Sequence, residues 1–265
     1  MTEDCVGNSV VLVTGGASGV GRVIAESFIA KGTSVHIFDA SQDHIDHFLG
    51  ANQTASASLC DVGLPDQVDA AFDDFSSRYD RLDVLVNNAG IAGPAGAVED
   101  LDIDGWDECI GVNLSGTFYV TRKAIPLLKA QRKAAIINLA SNAGLFGCPH
   151  RSPYVASKWG MIGLTKTWAM ELGPHNIRVN AVCPTSVEGD RINTVIEQDA
   201  ARRGLTAEEI RNVYQRQSSM RTFVSAEDVA DMVFFLASDN ARRISGQAIA
   251  VDGHTETLSN WLDHE

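Results

Sequence analysis

The apolar positions of this chain fall into short unbroken runs separated by longer stretches of helical spacing. Val10, Val11, Leu12 and Val13 form one such run, which stops at Thr14-Gly15-Gly16, the pattern of a strand buried on both faces. Helical spacing follows over 19–31, with Val20, Val23, Ile24, Phe28 and Ile29 on one side. The alternation then repeats. Strands are predicted at 34–38, 55–60, 84–86, 135–139, 178–182 and 247–251, and helices at 65–79, 105–131, 153–172 and 226–237. About seven strands joined by crossover helices specify an α/β fold, a doubly wound parallel sheet with helices on both faces.

No linker, repeat or low-complexity stretch divides the chain, so residues 1–265 read as one domain. One long segment, 184–225, stands outside the alternation and holds two helical stretches, 190–203 and 207–217. It follows the carboxyl end of a strand, where an insertion covers a ligand crevice, and it is read as a substrate lid. A packed pair of surface helices with no function is the alternative.

Composition narrows the classes. Of 265 residues, 45% are hydrophobic, enough for a sizeable core. A net charge of -13 without a basic stripe argues against nucleic-acid binding. No uncharged apolar run reaches the roughly 18 residues of a membrane span, and the N-terminus lacks a basic region followed by an apolar core. Cys5, Cys60, Cys109, Cys148 and Cys183 are odd in number and widely spaced, which favours neither a disulfide framework nor a zinc site. A reducing cytoplasm is the expected compartment, and no metal is expected. His44 and His47, three apart in a polar segment, read as ordinary surface residues.

Candidate chemistry lies at the strand ends. Thr14-Gly15-Gly16-Ala17-Ser18-Gly19-Val20-Gly21 joins the first strand to the first helix. Glycines 15, 19 and 21 let the backbone turn tightly and approach a pyrophosphate, whose charge meets the helix N-terminus. Asp39 closes the second strand, placed to accept hydrogen bonds from a ribose diol and to repel a 2′-phosphate, so NAD is favoured over NADP. Neither Ser18 nor Ala40 supplies a compensating cation. Tyr154 and Lys158 are one helical turn apart, so the ammonium stabilises the phenolate. Such a phenol can exchange a proton with an alcohol. Ser141 precedes that tyrosine at the end of an apolar strand.

With Thr14 to Gly21, Asp61, Asn87-Asn88-Ala89-Gly90, Asn113, Ser141 and Tyr154 with Lys158 in this order, the chain resembles a short-chain dehydrogenase/reductase of the simple, single-domain type over about 10–253. The resemblance implies a Rossmann-like fold and hydride transfer between NAD and a secondary alcohol or ketone. It implies Tyr154 as general acid/base, Ser141 as hydrogen-bond partner of the reacting oxygen, and Lys158 as holder of the nicotinamide ribose. Asn113 would position a water that relays protons from Lys158. Gly15, Ser18, Gly19, Val20, Gly21, Asp39, Asp61, Val62, Asn87, Ala89, Gly90, Pro184 and Val187 would complete the cofactor site, with Asp61 and Asn87 at the adenine and its ribose. One stretch departs from the family: Thr185 stands in place of a glycine, and Gly189 in place of a threonine.

The substrate is read from the loop before Tyr154 and from the segment after Pro184. Asn142, Phe146, His150 and Arg151 line the first, and Arg191, Arg202, Arg203, Arg211, Arg216 and Arg221 crowd the second. One or two arginines could clamp an anionic group, as in a hydroxy acid. Acidic neighbours in the same segment allow plain helical ion pairs instead, leaving a neutral sugar, polyol or cyclic alcohol open. A protein that binds NAD as a redox sensor without chemistry is the reading of a different class. Epimerisation or dehydration of a nucleotide sugar would ask for a larger substrate domain. Apolar faces on 105–131 and 153–172 suggest a homo-oligomer, tetramer or dimer, and the tail with Leu258 and Trp261 either seals a subunit contact or frays.

Overall fold

The computed structural model describes residues 9–258. Its strands are β1 (Val10–Thr14), β2 (Ser34–Asp39), β3 (Ser56–Leu59), β4 (Val84–Asn87), β5 (Ala134–Leu139), β6 (Ile177–Pro184) and β7 (Ala248–Val251). They form one sheet in the order β3-β2-β1-β4-β5-β6-β7, and every adjacent pair is parallel. β1, β4 and β5 are buried along their whole length, which is why each reads as a continuous apolar run rather than an alternation.

Helices α1 (Gly19–Ile29) and α2 (Gln42–Ala51) lie on one face with the late helix 226–237. There Ile24, Phe28, Ile45, Phe48, Val229 and Val233 pack on Val11, Val13, Val35 and Ile37. The other face carries α3 (Pro65–Arg78), α4 (Ile103–Ile110), α5 (Gly116–Lys129) and α6 (Ser152–Leu172). Phe72, Phe75, Val120, Ala124 and Trp168 pack there on Leu12, Leu85 and Ile136. This is the Rossmann-like doubly wound sheet. Strand order reverses between β1 and β4, so their carboxyl ends splay open as a crevice.

Two elements differ from the sequence expectation. The polar stretch after β2 is a helix, α2, capped by the Ser41 side chain on the backbone N–H of His44. Only Ile45 and Phe48 of it are buried, too few apolar positions for periodicity to register, and His44 and His47 sit on its exposed face. The helix expected over 105–131 is α4 and α5 joined by a π turn at Gly111–Ser115, with Asn113 at its middle. Segment 184–225 contains α7 (Asp190–Arg203) and α8 (Ala207–Gln215), and α9 (Ala226–Ala237) follows. Ile192, Ile196, Ala200, Ile210 and Phe223 give α7 and α8 a small core of their own. A reciprocal Thr206/Glu209 cap starts α8. Cys5 and Trp261 lie outside the described residues.

Candidate active site

The turn from β1 into α1 is shaped by its glycines. Gly15 (φ 59) and Gly19 (φ 52) adopt left-handed backbone that side chains disfavour. A Cβ on Gly21 would lie 2.0 Å from the Gly15 carbonyl oxygen, whereas one on Gly19 would point into open space. Ser18 is the N-cap of α1 and its hydroxyl accepts no capping bond. Asp39 is buried and shapes the same turn: one carboxylate oxygen accepts from the Ala17 N–H at 3.0 Å, the other from the Ser41 N–H at 3.1 Å. Asp39 is therefore not the cap of α2. An open glycine turn, a free helix N-terminus and a carboxylate at the end of β2 fit a dinucleotide, whose pyrophosphate Ser18, Gly19 and Val20 would hold and whose ribose Asp39 would meet.

The end of β4 is tied to that turn by Thr14 and Asn88. The Thr14 hydroxyl accepts from the backbone N–H groups of Asn88 and Ala89, both at 3.0 Å. The Asn88 amide donates to the Thr14 and Gly15 carbonyls, also at 3.0 Å. Asn87 turns inward, its amide donating to Thr121 Oγ1 (2.9 Å) and Asn138 Oδ1 (2.8 Å). The Asp61 carboxylate folds back on the Gly63 N–H at 2.9 Å, beside buried Val62.

At the centre Tyr154 and Lys158 share one face of α6. The Lys158 ammonium lies 5.6 Å from the Tyr154 ring centroid, and it donates to the Leu139 carbonyl at 2.7 Å. Arg151 and Arg191 approach the same ring at 5.4 Å and 5.9 Å. Burial alone pushes the Tyr154 phenol up. Lys158, Arg191, the Ser141 hydroxyl and Arg151 together outweigh it and hold the phenol below the usual tyrosine range. Burial likewise pulls Lys158 below its ordinary value, with the Tyr154 phenolate opposing. Asn113 is fully buried, its amide oxygen accepting from the Ile91 N–H at 2.8 Å and its nitrogen donating to the Ile91 carbonyl at 3.0 Å and to Ser157 Oγ at 3.2 Å. A Cβ on Gly90 would stand 3.1 Å from Asn113 Oδ1 and 3.7 Å from Lys158 Nζ, so both side chains flank the same stretch of backbone.

The expected substrate residues separate. Arg191 donates to the Gly90 carbonyl at 3.3 Å and Arg151 to the Ala92 carbonyl at 3.1 Å; among the described residues no carboxylate is within ion-pair distance of either. Four other arginines of 184–225 behave differently. Arg202 and Arg203 pair with buried Asp199, Arg211 with Glu188 at 2.7 Å, and Arg221 with Glu256 at 3.9 Å. Phe146 is half-buried, while His150 is exposed with left-handed backbone (φ 62). Asn142 is buried and bonded to the Thr185 and Thr255 hydroxyls.

The departure after Pro184 has a local cause. Gly189 is the N-cap of α7 with φ 139, a conformation that excludes threonine. Val187 is held by a parallel bridge to Val224.

Residues 15–254 match a family model described as enoyl-(acyl carrier protein) reductase. A 3-oxoacyl-[acyl-carrier-protein] reductase of Thermotoga maritima is 36% identical, covering 92% of this chain and 96% of its own. D-beta-hydroxybutyrate dehydrogenase of Rhizobium meliloti is 33% identical, covering 91% and 96%. The crystal structure of carveol dehydrogenase from Mycobacterium avium in complex with NAD superposes with a TM-score of 0.89 at 26% identity, over 95% of this chain and 98% of that one. A match of this length, on a sheet of this order, means that the chain belongs to the short-chain dehydrogenase/reductase family, nicotinamide-dependent oxidoreductases of alcohols and ketones.

Proposed function

We propose that the chain is an NAD-dependent dehydrogenase of a secondary alcohol that carries an anionic group, a hydroxy acid or its like. The observation that carries the anionic part is the pair Arg151 and Arg191, which converge on the Tyr154 ring without a carboxylate partner among the described residues. In a protein of net charge -13, Arg202, Arg203, Arg211 and Arg221 of 184–225 each meet an acid. Ion pairing, within α7 for Arg202 and Arg203 and between segments for Arg211 and Arg221, therefore accounts for four of these arginines but not for Arg151 and Arg191. A relative named for hydroxybutyrate supports the same class of substrate.

In this reading Tyr154 takes the hydroxyl proton of the alcohol, and Ser141 hydrogen-bonds the same oxygen. Lys158 holds the phenolate charge and reaches the nicotinamide ribose, with Asn113 beside it on the path by which the proton leaves. The bound nicotinamide supplies the hydride acceptor. Asp39, buried at the end of β2, supports NAD over NADP. Residues 184–225 act as a lid within a single domain, because α7 brings Arg191 over Tyr154. Phe118, Trp159 and Met170 are exposed on α5 and α6, which supports pairing with further copies of the chain. Unpaired thiols at Cys60, Cys109, Cys148 and Cys183 suit the cytoplasm. Among the described residues no helix is long and apolar enough to cross a membrane.

The test is a turnover screen with NAD and NADP over hydroxy acids, sulfonated alcohols, sugars, polyols and cyclic alcohols. Preference for NAD and for the anionic compounds is expected. A ranking led by neutral compounds would remove the arginine clamp, and a preference for NADP would remove the role given to Asp39.

A further inference from the structure

Ser141 has one proton and two places to put it. Its oxygen accepts from the Ala143 N–H at 3.1 Å, and its hydroxyl donates to Asn142 Oδ1 at 3.2 Å. The phenol of Tyr154 is the competing acceptor, since the Ser141 hydroxyl is among the groups that hold that phenol below the usual tyrosine range. Asn142 is 5% exposed, and both protons of its amide nitrogen are used, one on Thr185 Oγ1 at 3.0 Å and one on Thr255 Oγ1 at 3.1 Å. Those two bonds keep the amide oxygen turned toward Ser141.

We propose that Asn142 is a positioning residue: it competes with Tyr154 for the Ser141 proton in the ligand-free protein, and Thr185 with Thr255 locks it in that orientation. Thr185 is the residue that replaces the family's glycine, so the departure supplies one of the two locks. Thr255 supplies the other from outside the sheet. Its N–H and that of His254 both donate to the Asp252 carboxylate, at 3.1 Å and 3.0 Å. An antiparallel bridge joins it to Ser218, and the Glu256 N–H reaches the Gln217 carbonyl at 2.8 Å. The hydroxyl of Ser141 is thereby linked, through one amide, to the turn that ends α8.

The inference rests on Tyr154 and Ser141 being the reacting pair, and its test is chosen to stand apart from turnover. Tyrosinate absorbance is titrated in cofactor-free protein, with the Tyr154→Phe curve subtracted to isolate Tyr154. Lys158, Arg151 and Arg191 face that phenol, and the Cys109 and Cys183 thiols lie near Lys158; all remain in the variants. In Asn142→Leu the Ser141 proton has Tyr154 as its remaining acceptor, so the phenol titrates lower, by about half a pH unit or more. The shift vanishes when Ser141→Ala is added, because Asn142 acts through that hydroxyl. Thr255→Val moves the titration in part and Thr255→Ser does not, a pair that reads the same contact should Asn142→Leu fail to fold. An unmoved titration in Asn142→Leu and Thr255→Val, or a shift that persists in Ser141→Ala, overturns the proposal. Full turnover in Tyr154→Phe would instead overturn the reaction assignment and leave this result interpretable.

Discussion

The two halves of the crevice are built by different means. On the cofactor side, beyond β1, β2 and β4, the shape is set by backbone: left-handed glycines, a helix N-terminus, and Thr14, Asp39 and Asn88 bonded to main-chain groups. On the proposed substrate side the shape is set by side chains from distant elements meeting one another. Arg151 precedes α6, Arg191 comes from α7, and Asn142, Thr185 and Thr255 meet from three segments. A site made of backbone tolerates little change and serves any substrate. A site made of side-chain meetings can be altered one residue at a time, which is how one fold hosts many alcohols.

Tyr154 belongs to both halves, and its loss is the largest expected effect. Tyr154→Phe removes the proton acceptor and should lower kcat about 10²–10⁴-fold. Cofactor binding, measured by fluorescence titration, should stay intact. Unchanged turnover would sink the mechanism and favour a protein that binds the cofactor as a sensor.

Next comes the foundation of the cofactor side. His36 in β2 is fully buried, bonded to Ser56 at 2.7 Å and Ser58 at 2.8 Å. Burial holds its pKa at about 4, with Asp74 opposing that shift and Arg78 adding to it. The unfolded chain takes a proton at His36 below about 6.5, the folded chain only below about 4. Folding stability contributed by neutral His36 is thus complete above the higher value and is lost as pH falls through that window. The loss is about 3 kcal/mol. Urea unfolding at pH 7.5 and at pH 4.5 checks it, with His36→Gln expected to flatten the dependence.

A single methyl tests the backbone side itself. Gly21→Ala would place a Cβ 2.0 Å from the Gly15 oxygen and 2.4 Å from the Asn88 amide. Because the first obstacle is main chain, the turn must shift, at about 1–3 kcal/mol. The KM for NAD should rise while the preference among alcohols stays the same.

This contrast also explains what was legible in the sequence. Six of the seven strands needed only their apolar runs, and the glycine turn announced itself because φ above zero demands glycine whatever surrounds it. Tyr154, Lys158 and Ser141 were legible because α6 and the end of β5 fix their spacing. β3, whose Ser56 and Ser58 face His36, was placed by its rhythm between helices more than by its composition. Helix α2 escaped because its buried stripe is two residues wide. The π turn at Asn113 escaped because the stretches on either side of it both have helical spacing, so the pattern reads as one continuous helix. Among the six arginines of 184–225, nothing local distinguished Arg191. Its separation from the paired ones depends on where Asp199, Glu188 and Glu256 end up, and that is decided only when the chain is folded.

Arg191 is therefore the sharpest probe of the substrate side. Arg191→Met keeps length and apolar stem but deletes the guanidinium. A hydrogen bond to a charged group contributes about 1.5–3 kcal/mol, so kcat/KM for an anionic alcohol should fall roughly 10–100-fold. The KM for NAD should hold, which separates a substrate clamp from a pyrophosphate contact. A rise in the NAD KM alone would assign Arg191 to the cofactor side and collapse the division. A second consequence follows from charge. Arg191 is among the groups that hold the Tyr154 phenol low, so its removal should move the acid limb of the rate profile to higher pH. Binding of the anionic substrate should do the same to wild-type protein, because the bound charge cancels the arginines. The phenol then holds its proton more tightly once the alcohol is seated, and the base gains strength when it has a proton to take. A limb that stays in place in both experiments would leave Arg191 as a clamp with no hand in the proton transfer.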